Sequence, residues 1–437
     1  MRLRILIVIF LAFIFFYQSH SQVVERFPKP DFQGQYVRPD LQAEHPGAEI
    51  FEYLDVLVLI AALSLASYLV LKKRSRRYIF FLIIFSTAYF GFYKEGCICA
   101  IGAVQNISYA LFNTEYAIPI TVILFFALPL IFTLFFGRTF CAAVCPLGAV
   151  QDLVIMKPVN VPKWLAQVLG LFPYIYLGLA VIFAATGAGF IICQYDPFIG
   201  FFRFSATFNM LIFGASLLVL GTVVARPYCR FLCPYGVLLN WMSLLSRKHA
   251  SITPDECNNC RLCEASCPVG AIEKPQEIQT SKQKKTDIKR MAVLLVLLPI
   301  VTISSGWVIS RLNIQLSKQH FTVSLADQVR SENNAVNNEL TEEIKAFRAS
   351  GKTKEVLFEE ARTIQDQFRM GGWLLGGFAG FIFCIKLINF SRQKRRDEFE
   401  IDRGLCISCA RCFEYCPYEQ VRLGLITPEE VVKLKKD

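Results

Sequence analysis

The sequence predicts an all-α polytopic membrane protein: about seven transmembrane helices after a signal peptide or anchor, with an internal parallel repeat and a small cytoplasmic α+β unit. Three observations carry this reading. Hydrophobic residues make up 54% of the 437 and charged residues only 19%, against roughly 25% charged in an ordinary globular domain. The apolar residues gather in long runs, and the 16 cysteines recur at fixed spacings between and after them. The net charge of +11 comes from basic runs beside apolar segments, as in Lys72-Lys73-Arg74-Ser75-Arg76-Arg77. That pattern sets topology and does not point to nucleic acid. The four histidines, His20, His45, His249 and His320, lie outside the apolar runs, which excludes a bis-histidine haem within the membrane.

Residues 1–21 combine Arg2 and Arg4, an apolar run Ile5 to Tyr17, and small residues Ser19 and Ser21. They read as a secretory signal peptide or an uncleaved anchor, with 22–51 outside. Apolar runs follow at Leu54 to Leu71, Tyr78 to Tyr93, Ile118 to Phe136, Leu171 to Cys193, Leu211 to Ala225, Met291 to Ser310 and Trp373 to Asn389. Each approaches the length a bilayer core requires. Alternate threading puts every strong basic run inside, including Arg226, Arg230 and Arg392 to Arg396. The expected organisation is a span with a basic cytoplasmic turn (52–77), repeat A (78–152), repeat B (171–240), half of a cysteine-rich unit (249–290), a span (291–310), an extracytoplasmic helical segment (311–371), a span (372–390) and the second half of the unit (397–437). Asp55 and Lys386 fall within spans and are expected to snorkel toward an interface.

The strongest chemistry lies in two runs, Cys257-x2-Cys260-x2-Cys263-x3-Cys267-Pro268 and Cys406-x2-Cys409-x2-Cys412-x3-Cys416-Pro417. Each matches the bacterial ferredoxin pattern for [4Fe-4S] clusters. Short spacings let three thiolates wrap one cubane, while the fourth, fixed by the following proline, reaches the other. Crossed ligation is expected: Cys257, Cys260, Cys263 and Cys416 on one cluster, Cys406, Cys409, Cys412 and Cys267 on the other. Zinc and disulfides fit less well, because two duplicated runs ending in proline exceed one zinc set and a cytoplasmic face keeps thiols reduced. Between the runs the chain crosses the membrane and returns, so the halves must meet beneath it. Ser251-Ile252-Thr253 and Phe399-Glu400-Ile401 are expected to supply paired extended stretches.

Gly137 to Asp152 (GRTFCAAVCPLGAVQD) and Ala225 to Asn240 (ARPYCRFLCPYGVLLN) share a basic residue, Cys-x3-Cys-Pro and a following glycine. This duplication predicts a pseudo-two-fold axis along the membrane normal. About it Cys141, Cys145, Cys229 and Cys233 would converge near the inner surface, a donor set suited to one more iron–sulfur cluster; helix termination by Cys-Pro is the plainer alternative. Cys97, Cys99 and Cys193 are expected at the opposite surface as an outer redox site. There Asp196, a partner ligand, or a disulfide with a spare thiol all remain open for the fourth position. Cys384, alone on a span, is expected to be core.

These motifs resemble the membrane polyferredoxins of the NapH and NosR type. The resemblance covers Tyr78 through the last cysteine run, with two Cys-x3-Cys-Pro motifs and two complete ferredoxin runs. It implies electron passage across a bacterial cytoplasmic membrane, from the quinol pool or a cytoplasmic donor to an extracytoplasmic flavoprotein or reductase. The chain would then be the electron-transfer subunit of an oxidoreductase, such as a quinol dehydrogenase component. Two departures matter. Residues 22–51 are too short for the FMN-binding domain of NosR-like proteins, and no covalent FMN attachment site is recognised, Ala185-Thr186-Gly187-Ala188 lying inside a span. A maturation factor for a metalloenzyme and a redox-sensing regulator are the rival classes.

Overall fold

The computed structural model describes residues 49–96, 100–113, 116–156, 158–159, 161–252, 260–275, 281–332, 342–349, 351–391 and 399–427. The expected signal segment and most of 22–51 lie outside them, as do Cys97, Cys99 and Cys257. The described chain is mostly helical, with one two-stranded sheet. Among the described residues four stretches are long and apolar enough to cross a membrane: Ile50–Lys73, Trp164–Ala185, Lys289–Ser310 and Lys354–Asn389. Three shorter apolar helices accompany them.

Helix α1 (Glu49–Tyr68) runs through a π-helical turn, Leu69–Lys73, into the basic corner, and α2 (Arg76–Ser86) returns through a second, Thr87–Tyr93. Then come α3 (Ala100–Phe112), α4 (Ile120–Phe136), α5 (Pro146–Val154), α6 (Lys163–Leu169) and α7 (Phe172–Ala185). The short α8 (Ile191–Tyr195) and α9 (Ile199–Phe202) lead to α10 (Phe208–Gly221), α11 (Pro227–Phe231) and α12 (Tyr235–Leu244). The apolar helix α3 was not among the expected spans.

The two Cys-x3-Cys-Pro segments are re-entrant. After α4 ends at Gly137, the chain turns back through Phe140–Val144, and α5 starts at Pro146 and descends again. At its foot Met156 and Val159 donate backbone hydrogen bonds to Thr222 and Val223, beyond the end of α10. The second copy repeats this: α10 descends, α11 turns back, and α12 runs down beside α4. The Tyr235 hydroxyl donates to Phe126 O (2.7 Å) at the top of α12, and Arg247 N donates to Leu134 O below it. Phe126 and Leu134 are eight residues apart on α4, a rise of about 12 Å. Cys233-Pro234 is therefore carried well into the protein, where non-helical backbone is tolerated because protein surrounds it.

Leu171 to Cys193 does not form one span. The helix stops at Ala185, and Gly187 and Gly189 take φ of 73° and 147°, conformations glycine adopts without a Cβ penalty. The chain then doubles back until Ile191 O lies 3.5 Å from the hydroxyl of Tyr176, near the start of α7. Asp55 also departs from expectation. It is buried, accepts a hydrogen bond from Tyr89 (2.8 Å) and pairs with Lys94 (2.7 Å). Lys386 does reach a helix break, donating to the carbonyls of Gln167 and Gly170.

After α13 (Leu262–Ser266) and β1 (Ile272–Glu273), the 30-residue α14 (Ser281–Ser310) leads out to α15 (Asn313–Ser317), α16 (Phe321–Glu332) and α17 (Glu342–Ala349). Helix α18 (Lys354–Ser391) has 38 residues, so it is about 57 Å long and serves as both outer helix and returning span. Within residues 311–371, Val323, Val329, Ile344, Phe347 and Leu357 form a small core of their own. Cys384 is buried on α18. Strand β2 (Glu400–Ile401), α19 (Arg411–Tyr415) and α20 (Pro417–Arg422) complete the described chain. Strand β2 pairs antiparallel with β1, Ile272 opposite Ile401 and Glu273 opposite Glu400. The strand partner of Glu400-Ile401 among the described residues is therefore Ile272-Glu273 and not Ser251-Ile252; Thr253 lies outside the described residues.

Helices α14 and α18 meet along small residues. A Cβ at Gly376 would fall 2.7 Å from Gly306 Cα and nearer still to Ser305 O, and one at Gly372 would lie 3.0 Å from Ser310 Cα. Ser305 Oγ donates to Gly376 O (2.7 Å). Apolar attraction does not drive association within lipid, so this close backbone approach holds the pair. Gly376→Leu should separate the helices and destabilise the protein by about 1–3 kcal/mol, the usual range for overpacking. Thermal unfolding in detergent would show it as a lowered midpoint.

Candidate functional site

The two ferredoxin runs use the same local devices. Arg261, between Cys260 and Cys263, and Ala410, between Cys409 and Cys412, both take the left-handed conformation, with φ of 61° and 59°. For residues with a Cβ this costs roughly 1–2 kcal/mol each, and it falls at the same place in both runs, between the second and third cysteines. Cys267 and Cys416 are both extended (φ −73°, ψ 109° and φ −82°, ψ 118°), as the following prolines require.

The fold brings the halves together in a crossed manner. Cys267 of the first lies near Cys406, Cys409 and Cys412 of the second, Cys416 lies near Cys260, and Cys263 is close to Cys412. Burial pushes the Cys406 thiol up to about 12 and Cys412 well above the ordinary thiol range, and neighbouring sulfurs push the same way. The sulfurs also accept backbone hydrogen bonds, from Ala271 N to Cys267 (3.2 Å) and from Ser408 N to Cys406 (3.4 Å). Such contacts stabilise cluster-bound thiolate. Cys257 lies outside the described residues.

Cys141, Cys145, Cys229 and Cys233 line one cavity, walled by Phe140, Leu147, Tyr235 and Leu239. The glycines of both motifs face it. A Cβ on Gly148 would stand 3.7 Å from Cys229 Sγ, and one on Gly236 3.6 Å from Cys233 Cβ. Gln151 donates to Cys229 Sγ (3.2 Å) and accepts from Tyr228 N (3.0 Å). Arg138 and Arg226, each three residues ahead of its first cysteine, are both buried. Arg138 donates to Gly404 O (2.8 Å) and points Nη2 at Cys141 Sγ (3.9 Å). Arg226 crosses to the other copy and donates to Cys141 O and Ala142 O.

Beside this cavity the side chain of Asp152 has no exposed surface and pairs with Arg76, Arg226 (3.3 Å) and Arg411 (3.6 Å). Burial alone would raise its carboxyl, but the three guanidiniums outweigh that and hold it well below the ordinary range. Among the described residues Arg138 has no carboxylate partner, and the Nε atoms of Arg138 and Arg226 are buried without a hydrogen bond. Buried cations in excess of carboxylates are costly unless an anion compensates them. Four thiolates around an iron–sulfur cluster carry net negative charge, so the donor set and the cation surplus fit such a group. Sequence reasoning took Arg226 as a topology marker. The basic residue repeated three positions before each first cysteine was the signal that it does more.

Of the expected outer trio, Cys193 is exposed on the short α8, while Cys97 and Cys99 lie outside the described residues. Asp196 is committed elsewhere. Its Oδ1 accepts from Phe198 N (2.8 Å) and Ile199 N (3.1 Å), and its Oδ2 accepts from the Tyr228 hydroxyl.

The second ferredoxin half is also sealed to the basic corner. Glu419, nearly buried, pairs with Arg74 and with Arg422 (2.6 Å), while Arg74 lies over the Phe413 ring (4.9 Å). Burial would raise the Glu419 carboxyl, but the Arg422 hydrogen bond and the Arg74 charge hold it below the ordinary value. The contact thus contributes stability above the unfolded pKa near 4.3 and loses it as pH falls through the lower folded value. Glu419→Gln should melt below the wild type near neutral pH, and the gap should close under acidic conditions; a gap unchanged with pH would contradict this.

Comparison with known proteins bears on these cysteines directly. A 4Fe-4S binding domain model, Fer4_5, matches residues 118–167 and 206–253, one match over each Cys-x3-Cys-Pro copy. A second 4Fe-4S binding domain model, Fer4, matches residues 250–273, over the first ferredoxin run. Among similar proteins, the protein NirI of Paracoccus denitrificans is 31% identical over 153 residues, 32% of this chain and 22% of NirI. The putative electron transport protein YccM of Escherichia coli is 25% identical over 186 residues, 38% of this chain and 52% of YccM. The regulatory protein NosR of Stutzerimonas stutzeri is 25% identical over 223 residues, 44% of this chain and 28% of NosR. The chain thus spans about half of YccM and about a quarter of the other two. No solved structure matches. With 4Fe-4S binding domain models over both copies of the Cys-x3-Cys-Pro motif and over the first ferredoxin run, the chain carries iron–sulfur binding domains and is similar over part of its length to NirI, YccM and NosR.

Proposed function

We propose that this chain carries electrons across the cytoplasmic membrane, linking a cytoplasmic donor or the quinol pool to an extracytoplasmic flavoprotein or reductase. The observation that carries the reading is the single cavity shared by Cys141, Cys145, Cys229 and Cys233, directly above the second ferredoxin half. Arg138 links the two by touching both Cys141 Sγ and Gly404 O. Bound iron–sulfur clusters supply one-electron redox centres whose potentials depend on charge, hydrogen bonding and exposure.

The chain's own residues provide the rest. Cys257, Cys260, Cys263 and Cys416 would hold one [4Fe-4S] cluster, and Cys406, Cys409, Cys412 and Cys267 the other. The four repeat cysteines would hold a further cluster, with Arg138 and Arg226 balancing its charge and Gln151 donating to Cys229. Tyr235, Phe140 and Leu239 exclude water from that space, which strengthens each of these interactions. A bilayer core of about 30 Å separates the two surfaces, and a site carried inward on re-entrant loops shortens the distance left to cross. In this proposal the ferredoxin unit faces the cytoplasm, with the basic corner and the ends of α4 and α10. The outer segment 311–371, with its own small core, offers a docking element for an extracytoplasmic partner.

Reconstituted into proteoliposomes, the wild-type protein should pass electrons from a reductant on the ferredoxin side to an impermeant acceptor on the other. The double variant Cys141→Ser with Cys145→Ser should lose at least tenfold in that rate while keeping the EPR signals of the ferredoxin unit. Unchanged delivery in the double variant would refute a relay through the repeat cysteines.

A further inference from the structure

One residue reaches the cysteine-bearing loops of both sites. Asp152 pairs with Arg226, whose guanidinium donates to the carbonyls of Cys141 and Ala142 in the first membrane motif. It pairs with Arg76, whose Nη1 donates to Cys409 O (3.3 Å) in the second ferredoxin run. It also pairs with Arg411, which stands between Cys409 and Cys412. The residue before it, Gln151, donates to Cys229 Sγ in the second membrane motif. The four charged groups come from positions 76, 152, 226 and 411, so no local segment brings them together.

We infer that Asp152 is a positioning residue that clasps the second ferredoxin half to the membrane repeat and sets the separation between the two cysteine sites. The inference rests on the relay reading above and names the device that makes a relay work. Three guanidiniums packed together repel one another, and a buried charge left without its partner is strongly destabilising. With the carboxylate present, all three arginines are aimed by one charge; Arg76 and Arg226 also hold a cysteine loop by its carbonyl, and Arg411 is itself part of one. Without the carboxylate, the loop carrying Cys406, Cys409 and Cys412 has lost the group that draws Arg411 and Arg76 toward Cys141. The apolar contact of Ala410 and Phe413 with the membrane core would remain, so the unit is expected to loosen and not detach.

The test is Asp152→Asn, with Asp152→Glu as the conservative control, in the full-length protein purified anaerobically. Three readouts apply: iron per chain, EPR line broadening from magnetic interaction between reduced centres, and hydrogen exchange over residues 399–427. The expected result for Asp152→Asn is wild-type iron content, loss of the broadening, and at least tenfold faster hydrogen exchange in 399–427. Asp152→Glu should restore the broadening at least in part. Retention of both the broadening and the exchange protection in Asp152→Asn would overturn the inference while leaving the relay intact. Should Asp152→Asn fail to fold, Arg411→Gln removes the same clasp from its less buried side, and the same loss is expected; retention there is equally decisive against it. A wild-type protein with signals from the ferredoxin unit alone would remove the relay reading, and this inference with it.

Discussion

A carboxylate buried without any exposed surface, Asp152, held by three guanidiniums, is the interaction on which the arrangement of the cysteine sites depends. Its partners come from the first residue of α2, from the second membrane motif and from the second ferredoxin run. An isolated buried charge of this kind would be intolerable, and a buried ion cluster is no automatic source of stability. What it supplies is registry. Arg76 and Arg226 each reach the carboxylate with part of the guanidinium and a backbone carbonyl with the rest, while Arg411 brings its own cysteine loop to the carboxylate. The positive excess beside Cys141, Cys229 and Cys409 then suits an anionic cofactor, which links protein electrostatics to iron–sulfur chemistry.

The re-entrant loops impose the second constraint. Turning a backbone inside a membrane protein leaves polar groups that lipid cannot satisfy. Here they are met internally: Arg226 takes the carbonyls of Cys141 and Ala142, Gln151 serves Tyr228 N, and Cys145 and Pro146 open α5. The same bonds that make the turns tolerable also orient the thiols toward a common space. Fold and site are one solution, and a mutation aimed at either perturbs both.

Much of this was legible in the sequence where the information is local. Three cysteines in a C-x2-C-x2-C loop must lie near one another, so the ferredoxin runs announce themselves, and the duplicated Cys-x3-Cys-Pro motif shows its symmetry on inspection. Pairings between distant segments were not legible. Nothing in the neighbourhood of Asp152 names Arg411, and Ile272-Glu273 gives no local sign that it, and not Ser251-Ile252, will pair with Glu400-Ile401. The break after Ala185 was missed because the run Leu171 to Cys193 carries no charge, though Gly187 and Gly189 marked it. Asp55 looked like a snorkelling residue because Lys94 and Tyr89, its partners, lie beyond the next turn of the chain.

The central claim is that the repeat cysteines hold an iron–sulfur cluster in addition to those of the ferredoxin unit. Iron and acid-labile sulfide per chain, measured on anaerobically purified protein, test it most directly. The account predicts about ten or twelve irons, two ferredoxin cubanes plus a two- or four-iron cluster. About eight irons, with the full EPR signature of the ferredoxin unit, would contradict it and leave the membrane to be crossed by some other carrier.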